Sequence, residues 1–212
     1  MISALARCIT EVLCTSYTIE ENDIELYQYG FFLLLSRVFY FVITVLFGLM
    51  FRALMESIMF YIMFSLLRSY AGGIHAKTES ACTIMTIFAM FISVACIATM
   101  KSLHTTIVPI VMLTVGLACI LTLSPLDTNE KPLSEVDRKK FRRITWVLSF
   151  GLVMLSMVSA MTYNQTVPYA SSCAMFLEGC LLILGKAVRC WRNFTCRLLQ
   201  KCRFFLQFCA TD

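Results

Sequence analysis

Residues 30–50 read GFFLLLSRVFYFVITVLFGLM, 21 residues of almost unbroken apolar character with one charge, Arg37. About 20 such residues in helical form span the hydrocarbon core of a bilayer, and a single span satisfies all its backbone groups internally. Further apolar stretches follow at 53–67, 82–100, 105–123, 144–161 and 167–184. The segment from Ala53 to Leu67 is short for a full crossing, so it either spans or dips in and returns. Pro109 either kinks its helix or opens it. The composition agrees, with 59% hydrophobic and 15% charged residues and a mean hydropathy of +0.78. A soluble domain has about 25% charged residues. The predicted fold is all-α: a polytopic integral membrane protein of about six transmembrane helices with amphipathic N- and C-terminal helices.

Working outward, the chain reads as one membrane domain over 1–212. Residues 1–28 form an amphipathic N-terminal segment in which Ile2, Leu5, Ile9, Val12 and Leu13 recur at helical spacing. That helix either lies on the membrane or packs on the domain. Residues 30–187 form the transmembrane core, and 188–212 a basic, aromatic-rich amphipathic tail suited to an anionic inner leaflet. Its partner is therefore the lipid bilayer and not nucleic acid. With six crossings and a cytoplasmic N-terminus, fifteen of the eighteen Lys and Arg fall on the cytoplasmic side. The positive-inside rule then puts both termini in the cytoplasm of a cell (plasma) membrane. Arg37 faces a neighbouring helix or snorkels to the surface, and Arg52 and Glu56 are spaced to pair. Met1 to Cys14 lacks a basic start followed by an apolar run, so no cleavable secretion signal is expected. The eleven cysteines include no C-x-x-C pair, and most sit in apolar segments as small hydrophobes; no metal or cofactor is expected.

The longest polar interruption in the first hundred residues is RSYAGGIHAKTESACTIMT, 68–86. It brings His75 within seven residues of Cys82. A thiol nucleophile needs a base, and imidazole has the right proton affinity near neutrality. Thr78 or Ser80 would cap the helix that follows, leaving Cys82 in its first turn, where the helix dipole favours a thiolate. Gly72 and Gly73 either offer backbone N–H groups to an oxyanion or turn the chain between two helices. Arg68 binds the acidic part of a peptide, braces the loop, or stands as an ordinary charge at the membrane edge. Residues alone therefore give a candidate membrane cysteine protease, beside two other classes. A transporter would use Arg37, Arg52 and Glu56 as pathway residues and tolerate loss of Cys82. An adaptor would depend on its basic tail and survive loss of both His75 and Cys82.

Arg68, Tyr70, Gly72, Gly73, His75, Ala76, Cys82 and Thr86 resemble the signature of the accessory gene regulator B (AgrB) proteins. Ile74 departs from it, standing where an aromatic is more usual. A second stretch, Pro125-Leu126-Asp127-Thr128-Asn129-Glu130-Lys131-Pro132-Leu133, resembles that family's second loop. The resemblance implies catalytic His75 and Cys82, with Arg68, Gly72, Gly73 and Lys131 binding substrate or supporting the site. It also implies the activity: removal of the acidic C-terminal tail of a short propeptide and cyclisation of the remainder to a thiolactone or lactone quorum-sensing precursor. A homodimer is implied as well.

Overall fold

In lipid the backbone must satisfy its own hydrogen bonds, so unbroken apolar runs become helices. The computed structural model describes residues 2–16, 24–72, 79–126, 135–162 and 164–208. Among them are seven helices and no strand: α1 (Ile2–Ser16), α2 (Ile24–Met50), α3 (Leu54–Ala71), α4 (Glu79–Ser102), α5 (Ile107–Leu123), α6 (Glu135–Met161) and α7 (Thr166–Phe208). Four stretches are long and apolar enough to cross a bilayer: α2, Ser80–Ser102 of α4, α6, and Thr166–Trp191 of α7; α5 is apolar but shorter. This is an all-α, multi-pass membrane protein.

Side-chain pairings give the directions. Along α2 and α4 the contacts run in step, Tyr40 with Thr83, Thr44 with Met90 and Phe47 with Phe91, so these helices are parallel. Against α3 the order reverses, Gly48 meeting Ser57 and Arg37 meeting Ser69. Ser156 of α6 bonds Ser171 of α7, in antiparallel register around the turn at 162–165. The result is α3, α5 and α7 running one way and α2, α4 and α6 the other. The 18 residues of α3 extend about 27 Å at helical rise. At its start Glu56 pairs with Lys101 at the end of α4; just past its end Gly72 pairs with Leu126 beyond α5. Helix α3 therefore runs the length of the bundle and does not turn back.

Helix α7 is the axis. Tyr169, Ala170, Cys173 and Ala174 join Phe60, Met63 and Phe64 of α3 and Met90, Ile97 and Met100 of α4 in one core. Met175 and Leu182 join Leu67 and Ala71 of α3 and Ile120 of α5 in a second. Gly116 makes the α5–α7 contact possible: a Cβ there would lie 2.6 Å from the Met175 backbone carbonyl carbon, the small-residue packing that association in lipid relies on. By contrast α2 buries only Thr44 and Gly48, and leaves Leu34, Val42, Leu46 and Leu49 outward.

Several boundaries differ from the sequence reading. Helix α2 opens at Ile24, ahead of Gly30, with Glu25 in its first turn. Helix α6 opens at Glu135, so Arg138, Lys139, Lys140, Arg142 and Arg143 sit on its first turns and not in a loop. Acidic Glu135 and Asp137 suit a helix N-terminus, and no breaker intervenes before the apolar run. Arg142 lies 4.9 Å over the Trp146 ring. The basic tail continues α7 without a break to Phe208. Pro109 and Pro168 both fall in first turns, where the missing N–H costs nothing. Helix α1 packs on α2, but its fully buried residues are Ala6 and Thr10, while Leu5 and Val12 of the apolar stripe face outward. Of the two readings of α1, docking on the domain is the one seen here.

Candidate functional site

The last turn of α3 carries Arg68, and the helix ends because Gly72 takes a positive φ of 77°, a conformation that disfavours any side chain. A Cβ on Gly72 would lie 2.6 Å from the Leu126 carbonyl oxygen. That carbonyl belongs to the second motif stretch, far along the chain. Gly72 and Leu126 form an isolated parallel bridge, and the Leu126 N–H donates to the Ala71 carbonyl at 3.1 Å. Two separated stretches of sequence therefore dock on one another at one end of the bundle.

Arg68 closes the turn from within. Its Nη1 donates to the Gly72 carbonyl at 2.9 Å. The same nitrogen stands 3.7 Å from Oε1 of Glu178, whose side chain is fully buried on α7. Beside Arg68, Ser69 accepts a hydrogen bond from Arg37 at 3.0 Å. One helical turn along α2, Tyr40 donates to Thr83 at 3.4 Å. A single face of α2 therefore braces both the end of α3 next to Arg68 and the start of α4 next to Cys82. Arg37 is thus turned to a neighbouring helix.

Cys82 is half-buried, the fourth residue of α4. One turn on, the Thr86 hydroxyl donates back to the Cys82 carbonyl at 2.8 Å. Since α4 begins at Glu79, Ser80 lies inside the helix and is not its cap. His75, Gly73, Lys131 and the capping candidate Thr78 lie outside the described residues. Of the motif residues, then, the structure brings Arg68 and Gly72 into direct contact and puts Cys82 in the opening turns of α4.

Sequence reasoning passed over Glu178, Tyr40, Ser69 and Thr83. Glu178 carried a signal, as an ionisable residue within an apolar span. Tyr40 carried a weaker one, lying three residues after Arg37 on the same helical face. The expected Arg52–Glu56 pair does not form. Glu56 is bound by Lys101 at 2.8 Å, and Arg52 sits in the α2–α3 turn at a φ of 56°, with its carbonyl accepting from Lys101 at 3.4 Å. Among the described residues no three His, Cys, Asp or Glu side chains gather as a metal site.

The fold and this polar helix end define an integral membrane protein whose motif-bearing turns converge on one end of a helical bundle. The chain belongs to the accessory gene regulator B family, whose sequence profile matches residues 6–183. It is 28% identical over 85 residues to a protein named AgrB-like from Clostridium perfringens strain SM101. It is 27% identical over 85 residues to one named AgrB-like protein 2 from C. perfringens strain 13. In both cases the match spans 40% of this chain and 40% of the relative's length. No solved structure matches the chain.

Proposed function

We propose that this protein is a membrane cysteine endopeptidase that trims and cyclises a short peptide precursor. Family membership supports a role in quorum-sensing peptide processing. The observation that carries the reading is the docking of Gly72 on Leu126, which brings the two family-like stretches to one end of the bundle.

In this reading His75 takes the Cys82 thiol proton and the thiolate attacks a peptide carbonyl. The amide C–N bond breaks, the proton passes to the leaving amine, and the acyl group remains on Cys82 as a thioester. A thiol or hydroxyl within the same peptide then attacks that thioester, closes a thiolactone or lactone, and returns the Cys82 thiol. Arg68 and Lys131 favour a substrate with an acidic C-terminal tail. With the six crossings expected from the sequence, fifteen of eighteen basic residues are assigned to the side expected to carry His75 and Cys82, which favours a cytoplasmic site and cytoplasmic termini. The chain acts as a homodimer in a bacterial cell membrane. For the transporter alternative, two of its pathway residues are engaged by neighbouring helices, Arg37 by Ser69 and Glu56 by Lys101.

The test is propeptide cleavage by full-length protein in lipid nanodiscs. Cys82→Ala and His75→Ala are each expected to abolish it while membrane insertion persists, and Cys82→Ser to leave traces. Full processing by Cys82→Ala overturns the mechanism. Mass measurement of the active particle checks the dimer: an active monomer removes that claim.

A further inference from the structure

Glu178 is the most conspicuous residue that the proposed chemistry leaves unused. Its side chain has no exposed surface, on α7 between Met175 and Leu182. Neither carboxylate oxygen accepts a hydrogen bond among the described residues. A buried carboxylate without hydrogen bonds is costly, and an apolar residue of similar size usually serves stability as well or better. Packing alone therefore does not account for it. What faces it is Arg68, at 3.7 Å.

Arg68 has a choice of environments. It stands in the last turn of α3 with its side chain 28% exposed, and a long cationic side chain at a helix end ordinarily snorkels outward to water. Here it reaches inward instead, and its Nη1 closes the Gly72 carbonyl at 2.9 Å. The Glu178 carboxyl group is the acidic partner in reach on that inward side, and attraction between a carboxylate and a guanidinium strengthens as water is excluded. The turn it holds is the one docked on Leu126, and His75 follows Gly72 by three residues. Whatever fixes Gly72 fixes where the segment carrying the proposed base begins.

We infer that Glu178 is a positioning residue: it draws the Arg68 guanidinium off its solvent path and onto the Gly72 carbonyl, locking the turn that leads into His75. The inference deepens the cysteine-endopeptidase reading and rests on it. Misplacing a reacting group by about 1 Å can cost about 100-fold in rate, so the effect falls on turnover more than on binding.

The experiment uses full-length protein in nanodiscs and a labelled synthetic peptide with an amphipathic start, a central cysteine and an acidic C-terminal tail. Glu178→Gln and Glu178→Leu are expected to lower kcat about 10- to 100-fold with KM within about threefold. Glu178→Leu should melt no lower than wild type, since it removes a fully buried carboxyl group and the remaining partner, Arg68, is 28% exposed and within reach of water. Activity and stability thus move independently, which a purely structural residue would not allow. Glu178→Asp keeps the charge and should recover part of kcat. Hydrogen exchange supplies a readout independent of catalysis: the Leu126 amide, bonded to Ala71 O, should exchange about tenfold faster in Glu178→Gln. Unchanged exchange at Leu126, wild-type kcat in the Gln and Leu variants, or a kcat loss that tracks melting without rescue by Asp each overturns the inference. Cleavage by Cys82→Ala would instead sink the nucleophile assignment, leaving the Leu126 exchange result to judge the clamp by itself.

Discussion

Each end of the bundle holds a buried glutamate facing a basic residue, and the two pairs differ in kind. At one end Glu56 meets Lys101 directly at 2.8 Å, between the short turns 51–53 and 103–106. At the other, Glu178 stands 3.7 Å from Arg68, whose Nη1 is already bonded to the Gly72 carbonyl. There the connections are longer, 72–78 between α3 and α4 and 124–134 between α5 and α6. The first pair is a clasp at direct contact distance that joins two helix ends, with Lys101 reaching the Arg52 turn carbonyl only at 3.4 Å. The second is shared with the backbone of a turn, and that turn belongs to the motif. Where the carboxylate is the nearer partner the pair chiefly joins helices; where the turn carbonyl is nearer, the cation chiefly holds the turn.

The largest effect expected of this contrast is topological. In a background lacking other cysteines, Asn164→Cys at the clasp end should react with an impermeant thiol reagent in intact cells, and Asn129→Cys near the motif end should not. Labelling at Asn129→Cys would reverse the bundle and separate the proposed site from a cytosolic peptide.

Next in size is Gly72→Ala. It combines an unfavourable φ with a Cβ 2.6 Å from a backbone oxygen, so cleavage should fall about 10- to 100-fold, with a stability loss of about 1–3 kcal/mol. A wild-type rate would mean that the Gly72–Leu126 contact has no bearing on the reaction.

At the clasp end, Lys101→Met should do the opposite. It leaves Glu56 buried without its counter-charge and should cost about 1–3 kcal/mol in thermal or denaturant stability. Turnover by the folded fraction should stay within about threefold of wild type. A large loss of turnover with stability intact would show that the two ends are not divided between holding and working.

The smallest effect belongs to Arg52→Gly. Arg52 has a φ of 56°, which glycine adopts without strain, so this variant should gain about 0.5–1 kcal/mol and keep its activity. Destabilisation instead would mean that the Arg52 side chain contributes to the clasp.

Much of this was legible in the chain. A crossing helix is specified by the length and apolarity of one continuous run, and 30–50 or 167–184 declares itself without reference to any other segment. The turn at Gly72 was also legible, because a positive φ between two helices calls for glycine, whereas Arg68 and Cys82 are singled out by residue type and motif resemblance. Charge distribution along the chain set the expected orientation for a related reason, since it depends only on which loops hold Lys and Arg. What failed was pairing and extent. Arg52 and Glu56 have ideal spacing on one helix, yet the turn breaks the helix between them, and Lys101 of another helix takes the carboxylate. The basic run at 138–143 looked like loop because it is polar, although polarity does not stop a helix that begins with acidic residues and contains no breaker.

The sequence by itself determined that this is a helical membrane protein with a thiol and an imidazole close together in the chain, because span length and local chemistry are properties of single segments. Only the tertiary structure decided that Gly72 lies on Leu126, that one face of α2 braces the ends of both α3 and α4, and that Arg68 turns inward to Glu178. Those contacts depend on the order and register in which helices pack, and register is fixed by close approaches such as Gly116 against the α7 backbone. No single segment carries that information.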